Sequence, residues 1–313
     1  MVSIIITYID EHAFLREAIQ SAFVQTTNEP FEIILVCNSK SIPDNDTRLV
    51  IQDPRIIFIH EPVTGSAHAR NAGLKTATGE WIQFLDVDDL LLPGKIAHQL
   101  SSGNGHVIVS PHIYQYLNGK KIMSAWAPDD LWAGMLGGHV GSTSSMLWQK
   151  NMLFEIGGWN IDYQSHQEYE LLFRAASRGY KIIPFDQAET IVRERKSGSI
   201  TQMTKSSRAE QGIKLREQIR HYLVENKMDT PARLNAFRQY IFRQLRATYR
   251  RNPKDTMKIF NQYFQNGKFT PEKIGIPLYN TIYRLAGFKR TEDLFSFYST
   301  TRNKYLPFLP INK

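Results

Sequence analysis

Three carboxylates fall within four positions, Asp86, Asp88 and Asp89, directly after the apolar run Trp81-Ile82-Gln83-Phe84-Leu85. A buried strand that ends in clustered aspartates presents hard oxygens at the carboxyl edge of a sheet, where open α/β sheets bind their ligands. Hard oxygens suit Mg²⁺ or Mn²⁺, and those ions hold phosphates. The segment therefore predicts a divalent-metal and diphosphate site. Asp89 has a second reading, as the cap of a following helix that Pro93 would open.

Such an edge needs a sheet to carry it. Val2–Ile6 is an apolar β-run, and Phe14, Leu15, Ala18, Ile19, Ala22 and Phe23 then recur at helical spacing. Phe31–Val36, Ile56–Ile59 and Glu80–Leu85 read as further strands, with a helix over Ala67–Ala77. This alternation predicts an α/β fold, a mostly parallel sheet flanked by helices. Farther on, the pattern predicts a helix over Lys95–Leu100 and a strand over His106–Ser110. Loops and short strands are expected over 111–145, and helices over 145–158 and 165–179, stopped by Gly157-Gly158 and Gly179. Ile182-Ile183 and Thr190–Arg193 read as late strands. From about residue 205 the character is helical. Thr230-Pro231 makes a cap and first position, Leu234, Phe237, Ile241, Leu245 and Thr248 trace one face, and Thr270-Pro271 repeats the start signal.

The bulk properties fit a soluble globular chain of 313 residues, 42% hydrophobic and 22% charged. No apolar run approaches the roughly 18 residues of a membrane span, and the first residues enter a strand with no leader pattern. The single cysteine, Cys37, excludes an intrachain disulfide, so a cytoplasmic location is the economical expectation. The net charge of +8 is uneven: residues 1–204 hold 16 basic against 22 acidic side chains, and residues 205–313 hold 22 against 8. This contrast divides the chain at residue 204, and a tail at +14 calls for an anionic partner. Arg238, Arg243, Arg246, Arg250 and Arg251 alternate with Tyr240, Phe242 and Tyr249. A helix of that kind can rest peripherally on anionic headgroups at the inner face of a membrane, or meet a lipid-diphosphate acceptor. The alternative is that these helices pack inward and leave the arginines solvated. No nucleic-acid motif accompanies the charge, so nucleic acid is not expected as a partner.

Several fragments resemble family 2 glycosyltransferases in order and spacing. They are Val2-Ser3-Ile4-Ile5-Ile6-Thr7-Tyr8-Ile9-Asp10, then Gly65-Ser66-Ala67-His68-Ala69-Arg70-Asn71-Ala72-Gly73, then Ala77-Thr78-Gly79-Glu80 leading into the aspartates. Gly157-Gly158-Trp159, Gln167-Glu168-Tyr169-Glu170-Leu171 with Arg174, and Gly179-Tyr180-Lys181-Ile182 follow. The resemblance covers roughly residues 2–200 and implies a GT-A type fold for 1–204, with 205–313 as a basic helical appendage. It also implies an inverting, metal-dependent transferase that moves a sugar from a nucleotide-diphosphate donor to a glycan or lipid-linked acceptor. In this family that activity usually serves cell-surface polysaccharide biosynthesis, with Mn²⁺ or Mg²⁺ as cofactor and a UDP-sugar as the favoured donor.

Residue by residue, the resemblance makes Asp88 the metal carboxylate and Asp86 the carboxylate that reaches the ribose or the metal. Glu168 becomes the base for the acceptor hydroxyl, although Gln167 stands where an acid is usual. Arg70 would approach the nucleobase or diphosphate, and Thr7, Tyr8 and Asp10 would line the nucleotide pocket, where Ile9 replaces an aromatic. Cys37-Asn38 replaces an acidic pair, leaving the Asn38 amide to read a base edge. Arg193, Arg195 and Ser199 fall in the late loop that folds over the diphosphate, with Arg195 in place of a histidine, so neutralisation rather than coordination is expected there. The altered residues at 37, 167 and 195 keep open a non-catalytic nucleotide- or glycan-binding relative. A sugar-phosphate nucleotidyltransferase would need glycines after the first strand, and Thr7-Tyr8-Ile9-Asp10 has none.

Overall fold

A computed structural model describes residues 1–10, 12–41, 53–195, 205–264, 269–272, 276 and 278–305. The chain divides into two compact units, Met1–Gln202 and Met203–Lys313.

The first unit is built on a sheet of seven strands. In chain order these are β1 (Val2–Tyr8), β2 (Phe31–Cys37), β3 (Ile56–His60), β4 (Trp81–Asp86), β6 (Val107–Val109), β9 (Leu147–Gln149) and β10 (Ile182–Pro184). Their spatial order is β10-β6-β9-β4-β1-β2-β3. β9 runs antiparallel to both of its neighbours, β4 and β6, while the other pairs are parallel. β1 is buried along its whole length, which is why it reads as an unbroken apolar run rather than an alternating one. The four remaining strands, β5 (Leu90–Leu91), β7 (Ile113–Gln115), β8 (Lys121–Met123) and β11 (Thr190–Arg193), form a second sheet in the order β5-β11-β7-β8.

The flanking helices are α1 (His12–Phe23), α2 (Ser66–Thr76), α3 (Lys95–Ser101), α4 (Leu131–Gly137), α5 (Lys150–Glu155) and α6 (Gln167–Ser177). Gly73 lets α2 press onto the sheet: a Cβ there would stand 2.4 Å from Ile5 Cγ2. The region 145–158 is not one helix, for Leu147–Gln149 is a strand and only Lys150–Glu155 is helical. A short apolar run carries no reliable period, and pairing of Trp81–Gln83 with Leu147–Gln149 decides it as a strand. The segment 111–145 holds a helix as well as strands, α4, capped by Asp130, whose side chain accepts from Ala133 N. Pro93 does not open a helix either, because α3 begins after Gly94.

The second unit contains α7 (Lys205–Glu225), α8 (Pro231–Tyr249), α9 (Pro253–Phe264) and α10 (Tyr279–Tyr305), the last broken at Gly287 (φ 75°). Thr230 caps α8 as its sequence predicts, accepting from Arg233 N at 3.3 Å. Phe237, Ile241, Leu245 and Thr248 are buried, but Leu234 is 47% exposed. Pro271 and Glu272 are not helical, and the helix after them begins at Tyr279.

The aromatic residues expected on the surface of α8 face inward instead. Tyr240, Phe242 and Tyr249 are all buried. Arg238 lies over Phe264 and Phe269, and Arg246 stacks on Tyr279 at 4.2 Å while bonding Glu292 at 2.9 Å. Of the five arginines named on this segment, only Arg250 and Arg251 are exposed. No described helix is long and apolar enough to cross a membrane.

Candidate active site

β1 and β4 end side by side, with Thr7 paired to Asp86 in the parallel register. Asp86 closes β4, and the chain turns sharply there, Asp89 N donating to Asp86 O at 2.9 Å. A single 3-10 turn, Thr143–Ser145, braces this turn from beneath. Ser144 Oγ accepts from Asp86 N at 3.0 Å and donates to Asp89 Oδ2 at 2.7 Å. The three carboxylates therefore separate by environment. Asp86 and Asp88 keep side-chain exposures of 35% and 23%, whereas Asp89 is buried at 4%.

Asp89 does not cap a helix. Its carboxylate ties the turn to Ser144 and, more loosely, to Arg193 N at 3.4 Å. Burial, then the charges of Asp86 and Asp88, push its carboxyl well above the usual range, against the pull of those bonds. Below the same turn, Lys95 is buried and donates to Gln83 Oε1, while Gln83 Nε2 donates to Ser144 O at 2.9 Å. Burial pulls the Lys95 ammonium well below its ordinary pKa, and the Glu189 charge opposes that shift.

An arginine stands on each side of the exposed pair. Arg70, only 6% exposed, donates from Nη2 to Asp86 Oδ1 at 2.5 Å and from Nη1 to Gln167 Oε1 at 2.6 Å. Its guanidinium lies 4.6 Å from the Trp159 ring centroid, and Trp159 meets Phe84 edge-on at 4.9 Å. Opposite, Arg193 and Arg195 lie over the ring of Phe14 at 4.9 and 5.3 Å. Arg195 Nη1 is 3.5 Å from Asp88 Oδ2, and Arg193 Nε bonds Asp88 O. Ser199 lies outside the described residues.

Gln167 opens α6, and its Oε1 also accepts from Ser66 Oγ at 2.9 Å. A neutral amide here leaves the charge of Arg70 to Asp86, where a glutamate would compete for it. Glu168 is the second residue of α6 and is half-buried, with its carboxylate in the first helical turn, where the helix dipole favours an anion. Glu170 is not a solvated partner to it, since it is buried and binds Arg174 through both oxygens at 2.7 Å. Glu168 thus follows directly on a side chain that Arg70 links to Asp86.

The pocket residues expected near the base are placed differently from one another. Asp10 is exposed in the bend after β1. Thr7 is 4% exposed, and Tyr8 is fully buried in the core beside Leu35 and Cys37, so its ring is a packing element. Asn38 has a different task from reading a base edge. Its Nδ2 donates to Glu61 O and Val63 O at 3.0 and 2.8 Å, and its Oδ1 accepts from Gly65 N at 2.8 Å. Both amide hydrogens are used, and Asn38 holds the loop that launches α2 and hence Arg70.

Among the described residues, no group of three His, Cys, Asp or Glu side chains could hold a metal ion alone. The half-exposed Asp86 and Asp88 supply hard oxygens only, and Arg70 already occupies one oxygen of Asp86. That donor set fits Mg²⁺ or Mn²⁺ that completes its shell with ligand phosphates and water, not an all-protein cage.

Residues 3–156 match the family model described as "Glycosyl transferase family 2". The chain carries a family 2 glycosyltransferase domain. Among curated relatives, an uncharacterized glycosyltransferase of Rickettsia felis is 36% identical over 121 residues, 38% of this chain and 20% of that protein. The Escherichia coli UDP-Glc:alpha-D-GlcNAc-diphosphoundecaprenol beta-1,3-glucosyltransferase WfaP is 39% identical over 102 residues, 32% of this chain and 40% of its own length. The matches thus span well under two thirds of these curated relatives. Among solved structures, S. aureus TarS 1-349 in complex with UDP-GlcNAc superposes with a TM-score of 0.60 at 14% identity, covering 97% of this chain and 91% of that one. The mannosyltransferase PcManGT of Pyrobaculum calidifontis, with GDP-Man and Mn²⁺, gives 0.53 at 16% identity, covering 97% and 87%. These neighbours share the GT-A fold with the family 2 domain.

Three supports within this domain escape sequence reasoning: Ser144 under the aspartate turn, Phe14 of the first helix under the late arginines, and Gln167 as the acceptor for Arg70. Ser144 lies 55 positions from Asp89, and Gln167 lies 97 from Arg70, so no local spacing joins them. The one visible sign is the polar run Ser142-Thr143-Ser144-Ser145 set against the apolar Met146-Leu147-Trp148.

Proposed function

We propose that this chain is an inverting glycosyltransferase that moves a sugar from a nucleoside-diphosphate donor to a hydroxyl of a glycan or lipid-linked acceptor. The observation that carries the reading is the half-exposed Asp86/Asp88 pair at the sheet edge, flanked by Arg70 on one side and Arg195 on the other. Neighbouring proteins with UDP-GlcNAc, UDP and GDP-Man support a nucleotide-sugar donor, and a uridine sugar is the first class to try. WfaP, named for a diphosphoundecaprenol acceptor, supports a lipid-linked acceptor in surface polysaccharide assembly.

In the proposed step, Glu168 accepts the proton of the acceptor hydroxyl as that oxygen bonds to the anomeric carbon from the face opposite the nucleotide. The bond from that carbon to the β-phosphate oxygen breaks, and its electron pair leaves with the nucleoside diphosphate. Asp88, with Asp86, would hold the divalent ion, which when bound offsets phosphate charge. Arg195 adds a fixed cation beside the same carboxylate, and its always-charged guanidinium suits the departing phosphate. Arg70 fixes the Asp86 carboxylate and, through Gln167, the start of the helix that bears Glu168.

The test is sugar transfer and donor hydrolysis with a panel of UDP- and GDP-sugars, with and without Mn²⁺, alongside calorimetric nucleotide binding. Metal-dependent binding of a nucleotide and turnover of at least one donor are expected. Binding with no turnover of any donor would instead favour the non-catalytic relative that the residues at 37 and 167 keep open.

A further inference from the structure

A cavity of about 380 Å³ opens among α7, α8 and α9, walled by side chains of the second unit alone. Arg220 of α7 and Arg238 of α8 both line it. Each is half-buried and lies against an aromatic ring, Arg220 at 5.6 Å from the Phe237 centroid and Arg238 at 5.4 Å from that of Phe264. Arg246, farther along α8, is closed by Glu292. Among the described residues, neither Arg220 nor Arg238 has an ion pair or a hydrogen bond, and the Nε of Arg238 is buried without a partner. Two guanidinium groups drawn partly out of water are costly until an anion joins them. The aromatic faces orient both cations and leave their N–H groups unspent.

The remaining walls narrow what that anion carries. Glu217 accepts from the Tyr263 hydroxyl through Oε1, and its second oxygen is left to accept from a ligand hydroxyl. Burial, then the bond and charge of Glu217, push the Tyr263 phenol up against the pull of Arg220, so the phenol keeps its proton at neutral pH. The Gln262 amide can both donate and accept, while Leu234, 47% exposed, and Phe237 give the cavity an apolar side. A carboxylate, an amide and an apolar wall suit a ring that bears hydroxyl and C–H groups, and guanidinium forks match the oxygens of a phosphate. The volume admits one such ring with its phosphate. We propose that this cavity binds a sugar phosphate, with the phosphate on Arg220 and Arg238 and the sugar hydroxyls on Glu217 and Gln262. The site is built from the second unit alone and stands whether or not the transferase reading does.

The experiment is titration calorimetry of the full chain, in EDTA, with glucose 1-phosphate, inorganic phosphate, glycerol 3-phosphate and glucose. Glucose 1-phosphate is expected to bind, inorganic phosphate about tenfold more weakly for want of the hydroxyl bonds, and glucose not detectably. Arg220→Gln and Arg238→Gln should each weaken glucose 1-phosphate about tenfold, the loss of one charge-assisted contact, whereas Arg195→Gln in the first unit should not. Arg238 also packs on Phe264 and Phe269, so phenylglyoxal labelling of the parent gives a second readout that needs no variant. Glucose 1-phosphate should shield Arg220 and Arg238 from modification. No binding of glucose 1-phosphate, or binding that neither variant weakens together with no shielding, overturns the proposal. Inorganic phosphate bound as tightly as glucose 1-phosphate overturns it too, because no sugar is then read, and tighter binding of glycerol 3-phosphate assigns the cavity to a lipid headgroup instead. Weakening by Arg195→Gln alone moves the binding to the candidate active site and overturns it as well. Hydrolysis of UDP-sugars, unchanged in Arg220→Gln, separates failure of this site from failure of the transferase reading.

Discussion

Both units lay arginine on aromatic rings, but to different ends. In the first unit Arg70 rests on Trp159 and Arg195 on Phe14, and each guanidinium is aimed at a half-exposed aspartate at the edge of the sheet. In the second, Arg246 rests on Tyr279 and bonds Glu292, whose side chain is only 8% exposed. An aromatic face orients a planar cation without using its hydrogen bonds. Where the anion beside it stays accessible, the cation holds a carboxylate that is still open to an arriving ligand. Where the anion is buried, the pair is closed and can only hold helices together.

Four measurements put that contrast at risk. The largest effect is expected from Glu168→Gln, which should lower transfer by about 10²–10⁴ while leaving calorimetric nucleotide binding unchanged; full activity would remove Glu168 as the base. Arg246→Ala comes next, costing about 3 kcal/mol in urea denaturation because it takes the cation from the buried Glu292 and leaves the carboxylate bonded to the Tyr279 hydroxyl. Its donor turnover per folded molecule should stay at the parent level, and a loss there would collapse the distinction between the two kinds of arginine.

Arg70→Lys keeps the charge but not the fork that reaches Asp86 and Gln167 together. About a tenfold rise in donor KM is expected, roughly the cost of one lost charge-assisted bond, with a much smaller change in thermal midpoint than Arg246→Ala produces. The smallest effect belongs to Lys95→Met. The folded pKa of Lys95 lies well below its unfolded value, so the folded state binds fewer protons and stability rises with pH between the two. Thermal melts of the parent should therefore gain on those of Lys95→Met as pH rises toward about 10, the unfolded lysine value. Parallel profiles would mean that Lys95 keeps its charge.

Much of the fold is legible in the sequence because its signals are local. β1 and β4 are covered on both faces and read as apolar runs, and α1 and the capped start of α8 follow from helical spacing and Thr230-Pro231. Reading fails where a neighbour decides. Leu147–Gln149 is a strand because β4 and β6 pair with it, and the Asn38 amide is consumed by backbone from residues 61 to 65.

Residue type and near neighbours were enough to set the order of most strands and helices, the aspartates at a strand end and the charge contrast between the two units. What each polar group faces was left to tertiary packing. Packing buried Asp89, kept Asp86 and Asp88 half open, turned the aromatics of α8 inward and set apolar side chains outward on α10. Charge and hydrogen bonding depend on distance and solvent access, and folding sets both between residues far apart in the chain, as it does for Arg70 and Gln167, 97 positions from one another.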